Sequence, residues 1–177
     1  MNKAVTNDDG PGSSELWSEG VQPFSPRSAD AQPEGAHPGD AKASALQTLQ
    51  RRYRGVRVLV VDDDEVNRII AEELLADAGL RVDLAEDGAQ ALSAASSTPF
   101  EVIVMDLEMP VLDGFAATRA IRRLAGHATT KIVALTASSF DDGRRLAAEA
   151  GMDEYLTKPV VPDELYATIL RCLDARA

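Results

Sequence analysis

From Gly55 onward, short apolar runs alternate with stretches whose apolar residues recur every three or four positions. Residues 56–61 (VRVLVV) predict a strand, closed by the acidic run Asp62, Asp63 and Asp64. Val66, Ile69, Ile70, Leu74 and Leu75 then fall at helical spacing. Asp64 is placed to cap that helix and Gly79 to stop it. Arg81–Ala85 alternates, as a strand at a sheet edge does. Residues 89–95 predict a helix with Leu92 facing inward, and residues 102–105 a wholly apolar strand ending at Asp106. Phe115, Ala117, Ile121 and Leu124 place a third helix. Residues 132–135 are a fourth strand ending at Thr136, residues 140–150 a weaker helix closed by Gly151, and residues 154–156 a short fifth strand. Pro162 opens the last helix, where its missing N–H costs nothing. Leu165, Ile169, Cys172 and Leu173 line that helix's buried face.

Strands alternating with helices predict a parallel sheet covered on both faces. Strands 1, 3 and 4 are the continuous apolar ones and belong in the centre. The expected architecture is therefore α/β: a doubly wound, five-stranded parallel sheet of order 2-1-3-4-5, flavodoxin-like. Ligands of such sheets sit beyond the carboxyl ends of the strands, at the switch point between strands 1 and 3.

The first 50 residues do not share the pattern. They hold 5 of the 9 Pro and 5 of the 12 Gly, with scattered Leu16, Trp17, Val21 and Phe24. Such a stretch buries too little apolar area to offset chain entropy, so residues 1–50 read as a disordered Pro/Gly/Ser-rich tail or linker, with the folded domain over residues 55–177. A short helix over residues 43–54, with a basic end, leads into the domain. A docking role for residues 16–24 is the weaker alternative to a plain tail.

Composition then removes function classes. A net charge of −11 argues against direct nucleic-acid binding, which needs a basic patch. The single cysteine, Cys172, excludes a disulfide scaffold. Residues 1–10 carry no apolar leader segment, and no apolar run is long enough to span a membrane. A cytoplasmic protein without membrane contact is expected.

At the strand ends stand Asp62 and Asp63, Asp106, Thr136 and Lys158. Two carboxylates about 4 Å apart repel by about 4 kcal/mol at an effective dielectric near 20. Either one is protonated or a cation lies between them. An all-oxygen cluster suits Mg²⁺. The two histidines, His37 and His127, lie in the tail and in a loop, which argues against zinc. Carboxylate, Mg²⁺, lysine and hydroxyl together make a phosphoryl site, with Asp as the nucleophile.

The segments VLVVDDDEVNR, VMDLEMPVLDG, ALTA and GMDEYLTKP resemble the receiver domain of two-component response regulators, over about residues 55–174. The MPVLDG and ALTA forms look most like receivers of hybrid sensor kinases. The resemblance implies that Asp106 is the phosphoacceptor and that Asp62, Asp63 and Asp106 hold Mg²⁺ with the backbone carbonyl of Glu108. It implies that Thr136 and Lys158 bind the phosphoryl group and that Tyr155 is an aromatic switch. It also implies a cis peptide before Pro159. The phosphodonor is expected to be a histidine kinase or histidine phosphotransfer protein, docking on Asp64, Asn67, Ile70 and Pro159.

Such a protein is not a turnover enzyme; it promotes its own Mg²⁺-dependent phosphorylation and dephosphorylation. No effector follows the last helix, so output is expected through protein contacts or onward phosphotransfer. Two other readings stay open. An inactive receiver kept for interaction would have lost Asp106, Thr136 or Lys158. A phosphatase of haloacid-dehalogenase type needs Asp-x-Asp after strand 1, whereas the acids here are adjacent; a Rossmann site needs G-x-G-x-x-G, which is absent.

Overall fold

The computed structural model describes residues 38–137 and 141–176. Residues 16–24 and Phe140, on which sequence expectations fall, lie outside them. Five strands form one parallel sheet: β1 (Arg57–Val61), β2 (Arg81–Ala85), β3 (Val102–Asp106), β4 (Lys131–Thr136) and β5 (Glu154–Thr157). Their order is β2-β1-β3-β4-β5, as the apolar pattern requires, with the alternating β2 at one edge. Val58 lies opposite both Val82 and Val102, and Val104 opposite Val133. Every ladder is parallel, so all the carboxyl ends share one side of the sheet.

Among the described residues six helices accompany the strands: α1 (Pro38–Arg52), α2 (Glu65–Asp77), α3 (Gly88–Ser97), α4 (Gly114–Arg122), α5 (Asp141–Ala150) and α6 (Pro162–Asp174). Alternate strand residues feed two core layers. Val58, Val60, Val102, Val104, Val133 and Leu135 pack with Leu75 of α2 and with Leu165 and Ile169 of α6. Leu59, Val61, Ile103, Met105 and Ile132 pack with Ala91 of α3 and with Ala117 and Ile121 of α4. Asp64, Asp87 and Asp113 cap α2, α3 and α4, their side chains accepting N–H bonds from Val66, Gln90 and Ala116.

The structure corrects two expectations. Ala45 and Leu49 of α1 are buried, Leu49 completely, and α1 packs on α6. The Tyr53 hydroxyl donates to Asp174 at 2.6 Å, and the Gln50 amide donates to the Asp77 carbonyl at 2.9 Å. The packed domain thus begins before residue 50, because a stripe as narrow as Ala45 and Leu49 suffices once α6 offers an apolar face. The inward stripe of α2 is Arg68, Ala71 and Leu75. Val66 and Ile69, expected on the apolar stripe, are 61% and 45% exposed, while Ile70, expected to face a docking partner, is 46% exposed. With Ala71 and Leu75 turned to the sheet, Ile69 and Ile70 fall on the flanks of the helix. In α3 the buried positions are Gly88, Ala91 and Ala95, and Leu92, half-buried, packs inward against the same core layer, as expected. That helix starts hard against the loop before α4: a Cβ on Gly88 would overlap the Leu112 carbonyl and lie 2.9 Å from the Ala117 side chain.

Candidate functional site

Parallel register carries four chemistry-bearing side chains to one rim. Asp62 follows β1, Asp106 ends β3 opposite Leu135, Thr136 ends β4 opposite Thr157, and Lys158 follows β5. Asp62 and Asp106 are buried and Asp63 is exposed. One carboxylate oxygen from each of the three lies within 4.8 Å of the others. A cavity of about 270 Å³ opens over them, with Asn67, Glu108 and Lys158 also in its lining. Its donors are all oxygens, and the cluster includes no histidine or cysteine. That set fits a hard divalent ion such as Mg²⁺.

Lys158 supplies the positive charge within this cluster. Its Nζ donates to Asp106 Oδ2 at 2.6 Å and lies 2.7 Å from Asp62 Oδ2. Burial pushes the Asp106 carboxyl above its usual range, more than Lys158 and the Glu108 N–H pull it back. Burial alone would lower Lys158, but its hydrogen bonds to Asp106 and Asp62 and the charge on both hold it above the ordinary lysine value. One ammonium therefore does not neutralise the pocket.

Local backbone builds the rest. Asp62 Oδ1 accepts the Asp64 N–H at 3.0 Å and the Asn67 amide at 3.2 Å. Arg68 Nη1 donates to the carbonyls of Asp62 and Asp63. Beyond β3, Asp106 Oδ1 accepts the Glu108 N–H at 3.2 Å. Gly114 lies against the Asp106 carbonyl, where any Cβ would overlap it, and its N–H bonds Leu107. This close return is why the loop ends in Asp-Gly. Val111 in the same loop takes φ +68° and is 85% exposed.

The remaining expected residues are placed as follows. Thr136 is half-buried, and its carbonyl accepts the Lys158 N–H at 2.8 Å. The Lys158–Pro159 peptide is cis. Tyr155 lies in β5 opposite Ala134, half-buried, with the Arg144 guanidinium 3.7 Å from its ring centre. Ile70 and Pro159 line a second, smaller cavity of about 100 Å³ together with Asn67 and Lys158. Asp64 faces the acidic cavity while capping α2. Sequence reasoning passed over Arg68 and Arg144. Arg68 had a signal: a cation one turn into a helix opposes the helix dipole and needs a local reason.

Comparisons with known proteins agree with this geometry. Residues 58–170 match the family described as the response regulator receiver domain. The chain is 38% identical over 137 residues to the sensor histidine kinase GacS of Pseudomonas protegens, covering 76% of this chain and 15% of that protein. It is 35% identical over 114 residues to the signal transduction histidine-protein kinase BarA of Escherichia coli K12, covering 64% of this chain and 12% of that one. This chain thus spans about a seventh of the length of such kinases. Among solved structures, it resembles the receiver domain of sensor histidine kinase PA1611 from Pseudomonas aeruginosa PAO1, which has magnesium coordinated in its active-site cleft. The TM-score is 0.64 at 38% identity, over 68% of this chain and 98% of that one. Vibrio cholerae CheY4 gives a TM-score of 0.65 at 34% identity, over 67% and 99%. The chain belongs to the response regulator receiver domain family and is a receiver of the kind carried by hybrid sensor kinases in two-component phosphorelays.

Proposed function

We propose that Asp106 takes a phosphoryl group from a phosphohistidine of a histidine kinase or histidine phosphotransfer protein. The observation that supports this best is Lys158 bridging Asp62 and Asp106 at the rim of the central strands. Asp62, Asp63 and Asp106 would hold Mg²⁺ with the Glu108 carbonyl. The ion would offset charge on the phosphoryl oxygens. An Asp106 oxygen attacks phosphorus, the P–N bond to the donor imidazole breaks, and an acyl phosphate remains. Lys158 then turns its ammonium to a phosphoryl oxygen, and the Thr136 hydroxyl donates to another.

The protein promotes this step on itself, and in a separate step water attacks phosphorus, the P–O bond to Asp106 breaks, and inorganic phosphate and the free carboxylate result. Movement of Thr136 toward the phosphoryl group frees space for Tyr155, which shifts a surface of α5, β5 and α6 between two states. Exposed Ile70, with Pro159 across the smaller cavity, receives the donor beside Asp106, with Asp64 and Asn67 at the border. Among the described residues no helix is long and apolar enough to cross a membrane. We place the chain in the cytoplasm, which a single cysteine, buried as Cys172 is, suits.

Incubation with acetyl phosphate and Mg²⁺ tests the assignment. Intact-protein mass should rise by one phosphate, labile in base, and Asp106→Asn should abolish the gain. Equal labelling of the Asn variant would reject Asp106 as the acceptor.

A further inference from the structure

Asp62 and Asp63 are neighbours, and neighbours in a strand point to opposite faces of the sheet. Yet both bring a carboxylate oxygen within 4.8 Å of one from Asp106. The chain must turn between them. β1 ends at Val61, and the next two carbonyls, of Asp62 and Asp63, accept bonds from a single nitrogen, Arg68 Nη1, at 2.8 and 3.0 Å. Successive carbonyls of an extended chain diverge, so one donor reaches both only where the backbone has left the strand form.

The guanidinium that grips this bend is poorly placed by every other criterion. Its side chain is only 11% exposed, and the nearest acid, Glu86, is 3.7 Å from Nη2 and itself 65% exposed. A buried cation gives up its hydration. Arg68 also sits one turn into α2, and long helical side chains lean back toward the N-terminus, where positive charge is disfavoured. The two carbonyl bonds are the compensation.

We infer that Arg68 is a positioning residue for the divalent-cation site, bending the Asp62–Asp63 backbone so that two adjacent carboxylates face one ion. The inference rests on the Mg²⁺ reading of the site given above. It predicts an effect opposite in sign to simple electrostatics. Deleting a cation beside three carboxylates should, by Coulomb attraction alone, tighten Mg²⁺ binding. Loss of the bend should weaken it, and groups that orient metal ligands typically matter by about 10–100-fold in affinity.

The test is calorimetric titration of the full chain with Mg²⁺, in wild type, Arg68→Met and Arg68→Lys, with circular dichroism confirming the fold of each. Arg68→Met should raise the Kd about 10-fold or more. Arg68→Lys keeps the charge but loses the planar fork, so its Kd should rise severalfold. An unchanged or lower Kd in Arg68→Met overturns the positioning role, while wild-type binding and Asp106 labelling leave the site reading standing. Should Arg68→Met fail to fold, Arg68→Lys decides, and a wild-type Kd there overturns the role. A wild type that binds no Mg²⁺ would instead refute the site reading itself.

Discussion

Leu49→Ala measures how firmly α1 belongs to the domain. Leu49 has no exposed surface and sits in the same core layer as Leu75, Ile169 and Leu173. Truncating a fully buried leucine costs about 2–5 kcal/mol, the transfer term plus the cavity left behind. The cost here has a ceiling: if the cavity is worse than losing the helix, α1 detaches. Among the described side chains, the other apolar anchors of α1 are Ala45, buried, and Leu46, half-buried, and the ties of Arg52 and Tyr53 to Asp174 are at the surface. Surface ties add little. The expected loss is therefore in the middle of the range, about 3 kcal/mol. For a chain of this size that lowers Tm by about 6–12 °C. Urea unfolding followed by circular dichroism supplies the free energy, and the slope shows whether α1 remains docked: a detached α1 exposes its surface before the transition and lowers m. A loss below about 1 kcal/mol would be that of an ordinary surface site and would refute the docking of α1 through Leu49.

Two further outcomes follow from the site. Val111 holds φ +68° with its side chain 85% exposed, so it has strain and almost no packing to lose; Val111→Asn should stabilise by about 1 kcal/mol, and a lower Tm would contradict this. Burial raises the Asp106 pKa, so the folded chain binds that proton more readily than the unfolded chain, and stability falls as pH rises from the unfolded value through the folded one. In metal-free buffer, Asp106→Asn should thus be more stable than wild type at neutral pH, with the difference closing on acidification; a gap independent of pH would refute the argument.

Much of this was legible in the residues because strands buried on both faces have a plain signature. Val102 to Met105 are all apolar and all buried, and the strand ends followed from them, so Asp106, Thr136 and Lys158 fell at one rim. Helices were harder. A period of 3.6 fixes spacing but not which flank of a wide stripe turns inward, so Ile69 and Ile70 could be core or surface until Ala71 and Leu75 were seen buried. Arg68 was passed over for a related reason: arginine reads as solvent-facing, and its place one turn into α2 signals a local partner without naming the Asp62 and Asp63 carbonyls. The helix of α1 was expected over residues 43–54, but its packing escaped because its partner, α6, lies far along the chain, and a stripe of Ala45, Leu46 and Leu49 is weak without that partner.

The Tyr53–Asp174 bond joins residues 121 positions apart. The surface that α1 covers is made by α6 with the end of α2, so its contacts close a loop of nearly the whole domain. Contacts of such long range are expected to form after the folding barrier, and a φ-value near zero for Leu49→Ala would check this. Interactions of that kind leave the rate of folding nearly unchanged and slow unfolding instead. On that expectation the helix governs the lifetime of the folded receiver, and Leu49→Ala should speed unfolding while leaving the folding rate nearly unchanged.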